Sequence, residues 1–158
     1  DAQRLRGLDG KRMSKSLGNT ILLAEERAEA EKKVMQAYTD PKKLRKDDPG
    51  RPEADENDGH PGCVVWEYHR KFNAGEAEGI ATLCRAGQLG CVADKKRLAA
   101  VMNESLEPIR ERRAKWAQDP DAVRDVLRDG TRKARETARQ TMEMVRSAMG
   151  VKSIVEPE

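Results

Sequence analysis

Arg12-Met13-Ser14-Lys15-Ser16, running directly into Leu17-Gly18-Asn19, sets two cations and two hydroxyls in a short loop bordered by glycine. A polyphosphate needs that combination: cations to neutralise charge, hydroxyls to donate hydrogen bonds, and a helix N-terminus beyond them. Around the motif, residues 1–20 are Gly-rich and basic and read as loop. Ser16 or Asn19 is positioned to cap a helix predicted from Ile21 to Ala37, whose apolar face is Leu22, Leu23, Val34 and Met35. On its residues alone the loop is either a phosphate contact or a solvated basic turn.

The remainder of the 158-residue chain points to helices. Charged residues make up 37% and aromatic residues only 3%, which favours amphipathic helices over sheet. Thirty-one basic residues against 28 acidic ones leave a net charge of +3, so any nucleic-acid surface must be local. No apolar run approaches the ~20 residues of a membrane span. Three cysteines without a secretory cue speak for reduced thiols or a metal site, not a disulfide framework.

Between Thr39 and Gly62 the density of Pro, Gly and Asp forbids a long element. This acidic connector, with Asp47, Asp48, Glu53, Asp55, Glu56 and Asp58, is expected to be solvated and partly mobile. From Cys63 the pattern is helical, broken at 73–75 and 87–90. Over Asp94 to Gln118, Leu98, Val101, Met102, Leu106, Ile109 and Trp116 share a broad face that Pro108 should kink or divide. Asp119-Pro120 caps and opens a short helix towards Gly130, and a last helix runs from Thr131 to Met149 with Gly150 as its stop. The predicted fold is therefore mainly α, with a helical bundle in the second half. Its expected segments are 1–20, 21–62 and 63–158.

The motif and its surroundings resemble the tryptophanyl-tRNA synthetases, a family of class I aminoacyl-tRNA synthetases. Arg12-Met13-Ser14-Lys15-Ser16 is similar to their KMSKS signature, with Arg in place of the first Lys. The resemblance extends over Gly7-Leu8-Asp9-Gly10-Lys11, Lys33 to Pro41, Asp48-Pro49-Gly50-Arg51-Pro52-Glu53, Tyr68-His69, Gly90-Cys91, Pro108 to Arg113, and Gly130 to Ala134. It implies a KMSKS loop at the end of a Rossmann-type catalytic domain, otherwise absent here, followed by a helical anticodon-binding domain. It also implies ATP with Mg2+, L-tryptophan and tRNA(Trp) as ligands, a homodimer, and a cytoplasmic location. Lys15 is then the expected catalytic group at the pyrophosphate, with Arg12, Met13, Ser14 and Ser16 as further ATP contacts. Such electrostatic stabilisation needs no covalent step.

The second class I signature, His-x-Gly-His, does not occur in the sequence, so the chain assayed alone is expected to be inactive. The resemblance also suggests a metal site. Some members carry a four-cysteine iron-sulfur site ending in Cys-x-x-Cys, where this chain has Cys91-Val92-Ala93-Asp94. Cys63, Cys84, Cys91 and Asp94 would offer three thiolates and a carboxylate to a cluster or zinc; otherwise the cysteines are inert and buried. His60 and His69 are expected at a surface or interface. The basic residues of the helices are either solvated faces paired with Glu and Asp or an anticodon surface, for which Arg110, Arg113 and Lys133 are candidates. Two alternatives are a tyrosyl-tRNA synthetase and a non-catalytic tRNA-binding module derived from such an enzyme.

Overall fold

The computed structural model describes residues 4–151. It contains a single turn of 3-10 helix at Lys15–Leu17 and five α-helices. These are α1 (Arg27–Met35), α2 (Val64–Phe72), α3 (Ala74–Arg85), α4 (Cys91–Gln118) and α5 (Pro120–Met149). Among the described residues, β pairing is limited to two isolated antiparallel bridges, Arg6 with Arg12 and Asp55 with His60. The mainly α class is what the sequence predicts. The chain divides into two compact units between Glu111 and Arg112.

The core of the first unit is assembled from four separate stretches. Leu8 from the opening loop, Val34 and Ala37 around the end of α1, Cys63 to Val65 with Tyr68 on α2, and Leu98, Ala99 and Met102 on α4 form one buried cluster. Burying side chains of this size contributes roughly 1.5–3 kcal/mol each. Tyr68 donates its hydroxyl to the Arg6 carbonyl at 2.9 Å, and the Tyr38 N–H donates to the Leu8 carbonyl at 2.6 Å. Arg6 also pairs with Glu67, its Nε lying 2.6 Å from Oε2. The opening loop is thus fastened to the helices at its base.

Three expectations are corrected and one, for Pro108, is narrowed. The helix predicted from Ile21 begins only at Arg27, leaving Leu22 and Leu23 exposed. Ile21 packs against the core, and the Glu25 carboxylate accepts the Leu22 N–H at 3.4 Å, so local capping chemistry competes with helix there. Pro108 does not divide α4: the helix runs unbroken through it, and both Pro108 and Glu104, whose carbonyl loses its donor, are exposed residues. Gly130 does not end a helix either: α5 runs through it, and Asp129 pairs with both Arg132 and Lys133 beyond it. The connector is tied down, not loose. Arg51 grips Asp40 in bidentate fashion at 2.8 and 2.9 Å and also pairs with Asp58, while Pro52 is fully buried.

The ends of α5 follow the sequence closely. Asp119 accepts the Ala122 N–H at 2.9 Å, Pro120 takes the first position, and Gly150 stops the helix with φ of 66°. No residue of α5 is buried.

Candidate pyrophosphate-binding loop

The loop opens as a hairpin closed by the Arg6–Arg12 bridge, and Arg12 to Ser16 lead on from its second arm. The Gly7 N–H donates to the Lys11 carbonyl at 2.7 Å and the Gly10 N–H to the Gly7 carbonyl at 2.9 Å. Asp9 accepts the Lys11 N–H at 3.0 Å, the local side-chain turn that Asp favours. After Arg12 the chain extends through Ser14 into the turn Lys15–Leu17. Gly18, with φ of 66°, then reverses it and donates its N–H to the Lys15 carbonyl at 3.1 Å.

Asn19, predicted as a helix cap, instead turns its side chain back into the loop. Its Oδ1 accepts the Ser14 N–H at 2.8 Å; its Nδ2 donates to Asp9 Oδ1 at 2.8 Å and to the Arg12 carbonyl at 3.0 Å. The side chain is buried, only 5% of the residue being exposed, and Gly7 is required beside it: a Cβ there would lie 2.2 Å from Nδ2. Hydrogen bonding from Asn19 and from the Lys11 backbone holds the Asp9 carboxyl below its usual range.

Arg12, Met13, Lys15 and Ser16 are exposed, and Ser14 is half-buried with its Oγ 2.9 Å from that of Ser16. Among the described residues, neither Arg12 nor Lys15 forms an ion pair. The structure therefore brings the five predicted residues together with both cations open to solvent. It withdraws one part of the prediction: α1 starts eight positions after Asn19, so no α-helix N-terminus follows the motif directly, and the turn Lys15–Leu17 is too short to act as a dipole. Charge neutralisation falls to the side chains.

The predicted metal ligands do not fit a metal. Among the described residues no three or more His, Cys, Asp or Glu side chains form a group able to hold one. Burial pushes the Cys63 thiol up to about 11 and raises that of Cys84, both disfavouring the thiolates a cluster or zinc would need. Asp94 is turned to His69, Oδ1 standing 3.0 Å from Nε2, although the N–H direction is poorly aligned and His69 Nδ1 has no partner. His69 is fully buried and His60 nearly so, its Nε2 lying 2.9 Å from the Arg51 carbonyl, so neither sits at the surface as predicted.

Of the three anticodon candidates, Arg110 is committed internally. Its guanidinium donates to the Glu25 carbonyl, the Asn103 carbonyl and Asn103 Oδ1 at 2.7, 3.2 and 2.8 Å, with only 11% of the side chain exposed. Arg113 is exposed, and Lys133 is exposed and paired with Asp129 at 2.7 Å. Arg132, Arg135 and Arg139 share one face of α5, as the sequence pattern places them, and with Arg128 they line one shallow concavity. Their spacing of three and four residues was the available signal. Asn19 and Asp9 were missed as shapers of the loop.

The model of the family described as "tRNA synthetases class I (W and Y)" matches residues 2–107, which include the whole loop and its anchoring helices. The chain belongs to this family. Among similar relatives, the tryptophan–tRNA ligase of Aquifex aeolicus is 44% identical over 153 residues, covering 96% of this chain and 37% of the relative. That of Thermotoga maritima is 42% identical over 150 residues, covering 94% and 43%. A crystal structure of tryptophanyl-tRNA synthetase from Campylobacter jejuni superposes with a TM-score of 0.76 at 23% identity, over 91% of this chain and 44% of that one, and so shares the fold. The chain spans about two-fifths of the length of these relatives.

Proposed function

We propose that the chain is the loop-bearing and anticodon-reading part of a tryptophan–tRNA ligase, which activates L-tryptophan with ATP and transfers it to tRNA(Trp). The observation that carries this reading is the loop itself: among the described residues, Lys15 and Arg12 stand unpaired and exposed on a hairpin whose backbone is held from beneath by a buried amide. Tryptophan is favoured over tyrosine because the relatives matching nearly the whole chain are named tryptophan–tRNA ligases.

In this reading Lys15 stabilises the charge that develops on the departing pyrophosphate, and Arg12 adds a second cation. Met13, Ser14 and Ser16 complete the ATP contacts, the two hydroxyls being close enough to bind neighbouring phosphate oxygens. Mg2+, when bound, neutralises the phosphate charge left over from these side chains. The arginine face of α5, with Arg113 and Lys133, supplies the tRNA contacts. The enzyme acts as a cytoplasmic homodimer, and the 158-residue chain alone has no activity because no His-x-Gly-His lies within it.

Lys15→Ala in the full-length protein tests the assignment. Tryptophan-dependent ATP–pyrophosphate exchange should fall roughly 10²–10³-fold, as on removal of one transition-state donor, with the KM for tryptophan little changed. An unchanged exchange rate overturns the role of the loop.

A further inference from the structure

We infer that Asn19 is a positioning residue for adenylation: it acts through Ser14 and Arg12, setting the conformation in which the loop presents its cations. The inference rests on the reading of the loop as a pyrophosphate contact. The loop's working side chains face solvent and make almost no contact that would fix them. Ser14 and Ser16 touch only each other through their hydroxyls, and Arg12 and Lys15 form no ion pair among the described residues. What fixes the loop is therefore its backbone, and that backbone is held at two points on either side of Met13, the Arg12 carbonyl and the Ser14 N–H.

Both points are held by one side chain. Asn19 supplies an acceptor to Ser14 and donors to Arg12 and Asp9, so three of its hydrogen-bonding positions are in use inside a buried site. Asp9 in turn accepts from the Lys11 N–H, which carries the brace into the turn between Gly7 and Lys11. The Leu8 N–H donates to the Asn19 carbonyl at 2.9 Å, and Leu8 belongs to the core, so the brace is anchored to the rigid part of the unit. No other residue type offers this set of contacts at this length. Aspartate has no donor for Asp9 or Arg12, and glutamine is one methylene longer in a site already closed by Gly7.

A loop released from this brace samples arrangements in which Lys15 is misplaced, and a misplacement of about 1 Å can cost on the order of 10²-fold in rate. Binding of tryptophan does not pass through the brace and should be indifferent to it.

The test uses the full-length protein and the variants Asn19→Ala, Asn19→Asp and the double variant Asp9→Asn/Asn19→Asp. Asn19→Ala should lower kcat for pyrophosphate exchange by roughly 10²-fold, leave the KM for tryptophan unchanged, and speed amide hydrogen exchange at Ser14. Asn19→Asp sets two carboxylates in contact and should be at least as impaired. In the double variant the new amide at position 9 can donate to the carboxylate at 19, and part of the activity should return. An active wild type with an equally active Asn19→Ala overturns the positioning role alone, as does a double variant no better than Asn19→Asp. A wild type without exchange activity overturns the functional reading and the positioning role with it. A variant that lowers kcat and the melting temperature together, with tryptophan KM raised, shows general structural damage and overturns the specific role.

Discussion

The hairpin of residues 6–19 and helix α5 solve opposite problems. The hairpin has almost no regular structure, yet it is held by a buried amide, a core leucine and the α2 side chains Tyr68 and Glu67. Helix α5 is thirty residues of unbroken helix with none of them buried. One element takes its shape from partners in other segments and presents its two cations to solvent. The other takes its shape from neighbours three and four residues away and exposes everything. Under the proposed function the first kind of order suits adenylation, where reacting groups must be held in place, and contact with a long polyanion would tolerate the second.

The largest effect that would break this contrast is expected at Gly7. A methyl there must displace Asn19, so Gly7→Ala should lower pyrophosphate exchange by roughly 10²-fold, as Asn19→Ala does. In the Asn19→Ala background the side-chain atoms that the methyl would strike are gone, and the second loss should nearly vanish. Additive losses in the double variant would show that Gly7 matters for a reason unrelated to the brace.

Next in size is the Asp40–Arg51 pair, which orders the connector. The guanidinium of Arg51 holds the Asp40 carboxyl at about 2, against an ordinary 3.8. With the folded value depressed, the contribution is fully present above pH 4 and is lost as pH falls through about 2. The side chain of Asp40 is only 4% exposed, and the shift corresponds to about 2 kcal/mol. Asp40→Asn should therefore lower stability at pH 7 by about that amount and flatten the decline of melting temperature between pH 4 and pH 2. A decline as steep as the wild type's would show that other carboxylates carry it.

How much of this could be read from the sequence depends on where each residue's partner lies. Asp119-Pro120 and Gly150 were legible because a cap and a stop act on adjacent backbone. The five loop residues were legible by resemblance to a known signature. Ile21 to Glu26 was misread as helix because the competing partners, the core and the Glu25 carboxylate, do not show in an apolar spacing. His69 and His60 were misplaced for the same reason, since burial depends on Asp94 and Arg51 arriving from other segments. Asn19 looked like a cap because Asn commonly is one, and its true partners Asp9 and Arg12 precede it in the chain.

On α5 the contrast is sharpened by charge. Replacing Arg128, Arg132, Arg135 and Arg139 with glutamine keeps helix propensity and removes only exposed pairs of small worth, so stability should barely change. Affinity for tRNA(Trp) should fall roughly tenfold at moderate salt, and the dependence of affinity on salt should become shallower by about 0.7–0.9 for each phosphate no longer neutralised. Unaltered binding and an unaltered slope would make this face a solvated one.

The smallest effect concerns Gly130, inside α5. It is helical, its φ is not positive, and a Cβ added there meets nothing within 4 Å. Nothing in the folded helix therefore opposes a methyl, while the unfolded chain loses conformational freedom, so Gly130→Ala should stabilise the helix by about 0.4–1 kcal/mol. The site lies opposite the arginines at helical spacing, so tRNA affinity should not move. A rise in helix content with unchanged affinity fits an element shaped by its own local sequence. A loss of affinity instead would mean that α5 must bend at Gly130 when RNA binds, and would place in this helix a conformational requirement of the kind so far seen only in the hairpin.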